Sequence, residues 1–250
     1  MSRLNSFFLA SDHWPRAGED ILLEGPEARH MLQVLRTMPG TEVRLFDGEG
    51  RTGHFVLVES AKRKAVLRPG SVRRHPARRS GVTLALAWSK ASRRGWLLEK
   101  SVELYGNGVA FWRSERSQGA LPKTVKDSWK EKIVQSAKQC GNPWLPHLYT
   151  IGGIQDLITF AAGFEQRFLL WESPQLGTLL QPDMLSHGRS LAVIGPEGGI
   201  TEQEAEHLQE ADFLPVSLGK SVLRWETAAL HCLSLAFHGL MTASQTNGDV

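Results

Sequence analysis

The amino-acid sequence predicts an α/β protein with a small β-barrel over residues 1–72 and a larger α/β domain over residues 80–250. Short apolar or alternating runs dominate residues 5–68, whereas strand patterns alternate with helix patterns beyond residue 80. The segment between them, residues 69–80, is rich in Pro, Gly and Arg, which is typical of a joint between domains. A chain of 250 residues has enough volume to bury a core in each part.

The N-terminal part is predicted to contain short strands and one helix. The strand patterns cover residues 7–10, 21–24, 42–46, 54–59 and 65–67, and Asp47-Gly48-Glu49-Gly50 indicates a hairpin between the third and the fourth. Pro26 in a first helical turn predicts a helix over residues 27–36. The predicted buried face of this helix consists of Met31, Leu32, Val34 and Leu35.

The C-terminal part alternates strands with helices, which predicts a mostly parallel sheet. Its strand patterns cover residues 82–88, 109–112, 145–148, 168–171, 191–194 and 213–218. Helix patterns cover residues 93–105, 126–140, 154–162 and 224–239, and a further helix is predicted after Thr201-Glu202-Gln203-Glu204, which has the form of a capping box.

Two glycine loops follow strands of this sheet. Gly195-Pro196-Glu197-Gly198-Gly199 follows one strand, and Gly219 follows another. In open α/β sheets ligands bind at the carboxyl ends of the strands. A P-loop is excluded because Leu214 stands where that motif needs a glycine, and the dinucleotide fingerprint G-x-G-x-x-G is absent. Glycines without Cβ atoms instead allow backbone groups to approach a flat heterocycle closely.

The composition excludes several classes of protein. A hydrophobic share of 41% with 22% charged residues is that of an ordinary globular protein. The chain has no apolar run long enough for a membrane helix, and residues 7–10 are too short for a signal peptide, so we expect a cytoplasmic protein. The two cysteines lie far apart and the histidines lack ligand spacing, so we expect neither a disulfide framework nor a metal site.

Basic residues are concentrated in one block. Residues 61–98 contain eleven Lys or Arg and no Asp or Glu. A block of this kind favours a polyanionic partner such as RNA, although a solvated linker face would give the same pattern.

The motifs resemble one known family. I-G-P-E-G-G-I-T-E-Q-E and L-G-K-S-V-L-R-W-E-T-A are similar to the paired C-terminal motifs of the ribosomal RNA small-subunit uridine-N3 methyltransferases, members of the SPOUT superfamily. S-E-R-S at residues 114–117, and His30 followed by V-L-R and D-G-E-G, also resemble segments of that family. The resemblance implies a PUA-like RNA-binding barrel, a SPOUT-type domain with a trefoil knot, a site for S-adenosylmethionine (SAM), a homodimer, and 16S ribosomal RNA of the small subunit as substrate.

The resemblance also implies roles for individual residues. The implied cofactor-binding residues are Leu170, Gly195, Glu197, Gly198, Gly199, Leu218, Gly219, Val222 and Leu223. The resemblance implies RNA contacts at His30 and Arg36. The basic block adds Arg73, Arg74, Arg78, Arg79 and Lys90 as predicted RNA-binding residues. The last helix would pack against the partner subunit, or only within its own subunit, through Ala228, Ala229, Leu230, Leu233 and Phe237.

Two residues are candidates for catalysis. A uridine that loses its N3 proton places negative charge on O2 and O4, and Arg224 is the predicted cation for those oxygens. Glu226 would accept the proton, or would instead be a carboxylate that the first turn of the last helix favours. Two other functions stay open: RNA binding or ribosome assembly without catalysis, and methylation of a different RNA position.

Overall fold

The structure is a computed structural model that describes residues 4–14, 18–89, 93–171 and 178–246. The chain divides into two compact units. Unit 1 comprises Met1–Ala77 and Val134–Leu145, and unit 2 comprises Arg78–Ile133 and Pro146–Val250.

Unit 1 is built on a five-stranded sheet in the order β1-β3-β4-β5-β2. Its strands are β1 (Ser6–Phe8), β2 (Ile21–Glu24), β3 (Glu42–Phe46), β4 (Arg51–Ala61) and β5 (Lys64–Arg74). Strand β1 is parallel to β3, and the other pairs are antiparallel. Side chains from all five strands share one hydrophobic core, and two register shifts between β4 and β5 help the sheet to bend around that core. The predicted hairpin lies between β3 and β4, as expected.

The helical segment of unit 1 differs from the prediction. Helix α1 (Gly25–Arg29) continues as a π-helical turn over His30–Val34, in which the Leu35 amide donates to the His30 carbonyl. The wider turn rotates the later side chains away from the core. Met31 is buried as predicted, but Val34 is 65% and Leu35 40% exposed, so the predicted buried face is wrong at these two positions.

The predicted joint at residues 69–80 begins too early. Strand β5 runs through Arg74, so residues 69–74 belong to the sheet. Pro69 pairs with Phe55 at one of the register shifts, where a proline without an amide donor is tolerated.

Unit 2 contains a six-stranded parallel sheet in the order β11-β9-β10-β6-β7-β8, which confirms the predicted parallel sheet. The strands are β6 (Gly81–Ala87), β7 (Gly108–Trp112), β8 (His147–Ile151), β9 (Gln166–Leu170), β10 (Arg189–Ile194) and β11 (Leu214–Val216). The helices are α2 (Arg94–Glu103), α3 (Asp127–Cys140), α4 (Ile154–Ala161), α5 (Glu202–Glu210) and α6 (Trp225–Thr246), and α3 begins in unit 2 and ends in unit 1.

Helices cover both faces of this sheet, as parallel strands require. Ala85 and Ala87 of β6 share a core with Leu157 of α4 and Leu208 of α5. Helix α6 packs against β6, β10 and α2, and it extends beyond the predicted end at residue 239. These layers leave the carboxyl ends of the central strands free to carry loops.

Candidate functional site

Three neighbouring strands of unit 2 end in line. Ile194 at the end of β10 pairs with Leu170 at the end of β9, and Leu170 pairs with Val216 at the end of β11. Adjacent strands lie about 4.8 Å apart, so the loops that follow β10 and β11 start about 10 Å from each other, with Leu170 between them. The structure therefore brings the two predicted glycine loops and Leu170 to one edge of the sheet.

The three glycines of the loop after β10 have different surroundings. A Cβ atom on Gly195 would lie 2.7 Å from Cγ1 and 3.1 Å from the backbone nitrogen of Ile200, so no larger residue fits. Gly199 adopts a φ of 75° and its amide donates to the Pro196 carbonyl at 2.8 Å. A Cβ on Gly198 would only touch Arg116 at 3.5 Å, an ordinary contact. Gly198 and Gly199 are exposed, so their backbone groups are accessible to a ligand.

Glu204 fastens this loop to the loop after β7. The predicted capping box is confirmed: the Glu204 amide donates to Oγ1 of Thr201 at 3.2 Å, and the Thr201 amide donates to Oε2 of Glu204 at 3.1 Å. Oε1 of the same buried carboxylate accepts from the Glu115 amide at 2.9 Å. Arg116 adds a second link, because its Nη1 donates to the Gly198 carbonyl at 2.7 Å. The two loops are thus joined at two points.

The loop after β11 presents a cavity beside α6. Oγ of Ser217 accepts from the Gly219 amide at 3.1 Å and donates to the Gly219 carbonyl at 3.0 Å, which fixes the turn. Gly219 has a φ of 131°, and nothing lies within 4 Å of where its Cβ would be. The half-buried Leu218 and Leu223 line a cavity of about 440 Å³ together with Thr227, Leu230, His231 and Ser234 of α6. Val222, which was predicted to contact the cofactor, is 80% exposed.

The two candidate catalytic residues have different surroundings. The exposed Arg224 side chain forms neither a hydrogen bond nor an ion pair with any other described residue. The Glu226 side chain is only 14% exposed and forms an ion pair with Arg93, with 3.4 Å between Oε1 and Nη1. Glu226 also lies in the first turn of α6, where the helix dipole favours a carboxylate.

A further cation stands near the glycine loop. The Arg94 guanidinium lies 4.2 Å from the ring centroid of Trp88 and donates to the Ser89 carbonyl. Burial lowers the pKa of Arg94, and the negative charge of Glu197 acts in the opposite direction. Glu197 itself is exposed.

Four of the predicted RNA-binding residues lie in unit 1. The His30 ring contacts Phe7 edge-on at 6.2 Å between centroids. Arg36 is exposed and adopts a φ of 51°, at the end of the π-helical turn. Arg73 and Arg74 are exposed neighbours on β5, so their side chains point to opposite faces of the sheet.

The other predicted RNA-binding residues belong to unit 2. Arg78 donates to the Tyr105 carbonyl at 2.7 Å and lies over the Tyr105 ring, and burial lowers its pKa to about 10. This packing fits a role in stabilising the fold. Arg79 is exposed. Lys90 lies outside the described residues.

The sequence analysis missed Arg93, Arg94, Arg116 and Glu204 as parts of the site. A signal existed for two of them, because Arg116 lies in the S-E-R-S segment and Glu204 in the capping box. No local pattern indicated that Arg93 would pair with Glu226, since that ion pair joins residues distant in the chain.

No group of three or more His, Cys, Asp or Glu side chains that could hold a metal ion occurs among the residues that the structure describes. In the same part of the chain, no helix is both long and apolar enough to cross a membrane.

Two protein-family models match the sequence. Residues 76–237 match an RNA methyltransferase domain, and residues 23–69 match an RNA methyltransferase PUA domain. Among curated proteins, the chain is 28% identical to ribosomal RNA small subunit methyltransferase E of Mycobacterium bovis, over 93% of this chain and 90% of the relative. The protein of the same name from Bacillus subtilis is 26% identical over 85% of this chain and 87% of the relative.

Two solved structures share the fold of this chain over nearly its whole length. Ribosomal RNA small subunit methyltransferase E of Neisseria gonorrhoeae, bound to SAM, is 28% identical, with a TM-score of 0.79 and 98% of both chains covered. A protein from Legionella pneumophila, solved in complex with SAM, is 26% identical, with a TM-score of 0.81 and coverage of 97% of this chain and 98% of that one.

Proposed function

Because the chain belongs to the RNA methyltransferase family, whose model matches residues 76–237, we propose that it transfers a methyl group from SAM to N3 of one uridine in 16S RNA of the small ribosomal subunit. Relatives named for small-subunit ribosomal RNA methylation that match most of the chain, and similar structures solved with SAM, support the substrate and the methyl donor. The structural observation that carries the proposal is the alignment of Ile194, Leu170 and Val216, which brings both glycine loops to one edge.

The residues at this edge fit SAM. Leu170, Leu218 and Leu223 are half-buried and apolar, as the faces of an adenine ring require, and the open space at Gly219 leaves its backbone groups accessible. The exposed Glu197 offers carboxylate oxygens to which a ribose hydroxyl can donate. The proposed cofactor-binding residues are therefore Leu170, Gly195, Glu197, Gly198, Gly199, Leu218, Gly219, Val222 and Leu223. When it is bound, SAM supplies a methyl group activated by a positively charged sulfur.

The chain's main chemical task is then to align the uridine and to stabilise the charge that develops on it. N3 becomes nucleophilic as its proton leaves, and the charge spreads onto O2 and O4 of the base. Arg224 is the proposed cation for these oxygens, because it directly follows the cofactor-binding loop and its guanidinium is not engaged within the described chain. Such a group contributes mainly in the transition state.

Glu226 is the proposed proton acceptor, two residues after Arg224. Its carboxylate lies against Arg93, which holds the side chain in one position. If Glu226 instead only holds Arg93 and caps α6, Glu226→Gln will lower stability without changing how the methylation rate depends on pH.

The proposal includes the placement of the RNA and of a second subunit. Residues 1–72 would bind RNA as a PUA-like domain, and residues 80–250 would carry the methyl-transfer site with the trefoil knot that the family resemblance implies. Ala229 and Leu233 of α6 are buried within their own subunit, which leaves the half-buried Ala228 and Leu230 for the partner in a homodimer. Because the substrate is the small ribosomal subunit, the enzyme would act in the cytoplasm.

Two measurements on the same variants test the mechanism: the SAM dissociation constant and the single-turnover rate on small ribosomal subunits. Arg224→Ala should bind SAM normally and lose about two to three orders of magnitude in rate. Arg224→Lys keeps the charge without the planar fork and should recover part of the rate. Lys130→Ala removes an exposed positive charge from α3, outside this loop, and serves as the control. An unchanged rate for Arg224→Ala would remove this residue from the mechanism.

A further inference from the structure

One face of the unit 1 sheet carries two adjoining rows of polar side chains. The register aligns Ser6, Arg44, His54 and Ser71 across strands β1, β3, β4 and β5. It also pairs Thr52 with Arg73. Residues two positions apart on a strand point to the same face, so this second pair stands on the same side as the first row.

These side chains line a cleft of about 500 Å³, together with His75 just after β5. Two arginines and two histidines line it, whereas none of the described residues that line it is an Asp or a Glu. Glu42 stands on the same face, two positions before Arg44 on β3, and its carboxylate lies 3.0 Å from Nδ1 of His54. The cleft is therefore positively charged, and its chemistry suits an anion.

Hydrogen bonds hold several of these groups in position. Arg44 donates through Nη2 to the Gly141 carbonyl at 3.1 Å and through Nη1 to Oγ of Ser6 at 3.5 Å. Oγ1 of Thr52 and Nε2 of His75 are 3.1 Å apart. Since their geometry is set before a ligand arrives, little side-chain freedom is lost when one binds.

We propose that this cleft binds a phosphodiester group of the RNA substrate, with Arg44 and Arg73 as the charged donors and His75 and Thr52 as further polar contacts. Guanidinium groups match phosphate oxygens in charge and in planar geometry. The inference rests on the proposed function, because the RNA substrate supplies the phosphate. The proposal assigns RNA binding to Arg73 and not to its neighbour Arg74. Arg74 lies on the other face of β5, with Arg51 as its strand partner.

The positive charges around His75 are consistent with an anion-binding role for the cleft. Burial lowers its pKa, and the positive charges of Arg73 on β5 and Arg44 on β3 lower it further. His54 on β4 and its partner Glu42 on β3 are further titratable groups on this face, and Arg68 of β5 adds a positive charge in the same row as Glu42. A phosphate between the two arginines would offset their charge at His75, so RNA binding should raise the pKa of His75.

The matched pair Arg73→Ala and Arg74→Ala tests the site. Both variants lose one exposed positive charge from adjacent positions of one strand, so long-range attraction falls equally in the two. The affinity for a ten-nucleotide single-stranded RNA is measured by fluorescence anisotropy between 0.05 and 0.3 M salt. One lost phosphate contact should reduce the salt slope by about 0.7 and weaken binding about fivefold at 0.1 M salt. We expect this change for Arg73→Ala and a smaller one for Arg74→Ala. Equal effects of the two variants, or no effect of Arg73→Ala, would overturn the proposal.

Nuclear magnetic resonance of the His75 ring gives an independent readout on the unmodified protein. Saturating RNA should raise the pKa of His75, and inorganic phosphate at the same phosphate concentration should raise it much less. An unmoved pKa, or an equal rise with inorganic phosphate, would overturn the assignment to RNA. Methylation of small ribosomal subunits at saturating concentration is measured in parallel for Arg73→Ala. This measurement separates a failure of the proposed RNA cleft from a failure of the proposed methyl transfer. The proposed function fails only if the wild-type protein transfers no methyl group, whatever its RNA affinity.

Discussion

Glu204 connects the two loops of the proposed methyl-transfer site, and its removal should loosen both. The carboxylate is 3% exposed and accepts from two backbone amides, those of Glu115 at 2.9 Å and Thr201 at 3.1 Å. Glu204→Ala leaves both amides without these partners. A buried donor that loses its partner costs about 1–3 kcal/mol, and water that enters the vacated space brings each cost toward the lower half of that range. We therefore expect the local opening free energy to fall by about 2–4 kcal/mol.

Hydrogen exchange followed by mass spectrometry measures this opening directly. A loss of this size makes exchange about 30 to 700 times faster, since 1.4 kcal/mol is tenfold, and the change should be confined to segments 113–118 and 199–205. Glu206→Ala is the matched control, because it removes an exposed glutamate from the same helix. Glu204→Gln keeps the shape and one acceptor oxygen, so its effect should lie between the two. The reasoning is refuted if Glu204→Ala exchanges like Glu206→Ala in both segments.

Three further predictions concern the cofactor, the cysteines and the assembly. Gly198→Val should fold normally, because a Cβ there makes only an ordinary contact with Arg116, and should weaken SAM binding about tenfold or more; unchanged affinity by calorimetry would contradict the placement of SAM. Burial raises the pKa of the Cys232 thiol to about 12, so iodoacetamide at pH 8 should label the half-buried Cys140 and spare Cys232 in the native protein, and peptide mapping that finds Cys232 labelled would show this interpretation to be wrong. Light scattering at micromolar concentration should give about 56 kDa, twice the chain mass of 27.8 kDa, whereas a mass near that of one chain would count against the homodimer.

Local patterns predicted those features that depend on a few consecutive residues. The capping box at Thr201 and Glu204, the hairpin at Asp47–Gly50 and the parallel strands of unit 2 all follow from such patterns, and the structure contains them. The buried face of the N-terminal helix was partly wrong because a π-helical turn changes the periodicity after His30. No propensity in those residues indicates that turn.

Features that join distant parts of the chain could not be read from the sequence. The second partner of Glu204 is the Glu115 amide, 89 residues away, and the cleft in unit 1 depends on the register of four strands. The block of basic residues was visible, but the sequence did not show that Arg78 packs on Tyr105 while Arg73 enters a cleft. A count of charges along the sequence locates a basic segment. Only the folded structure shows which of its side chains are buried and which line a cleft.

Mass mapping of modified nucleosides in small-subunit ribosomal RNA is the most direct test of the central proposal. Cells that lack the gene should have one uridine without its N3-methyl group, and the gene should restore the mark when it is returned. A gene carrying Arg224→Ala should fail to restore it while the Lys130→Ala gene succeeds. A pattern of modification that is identical with and without the gene would contradict the proposed reaction, and a missing mark at another atom or base would reassign it.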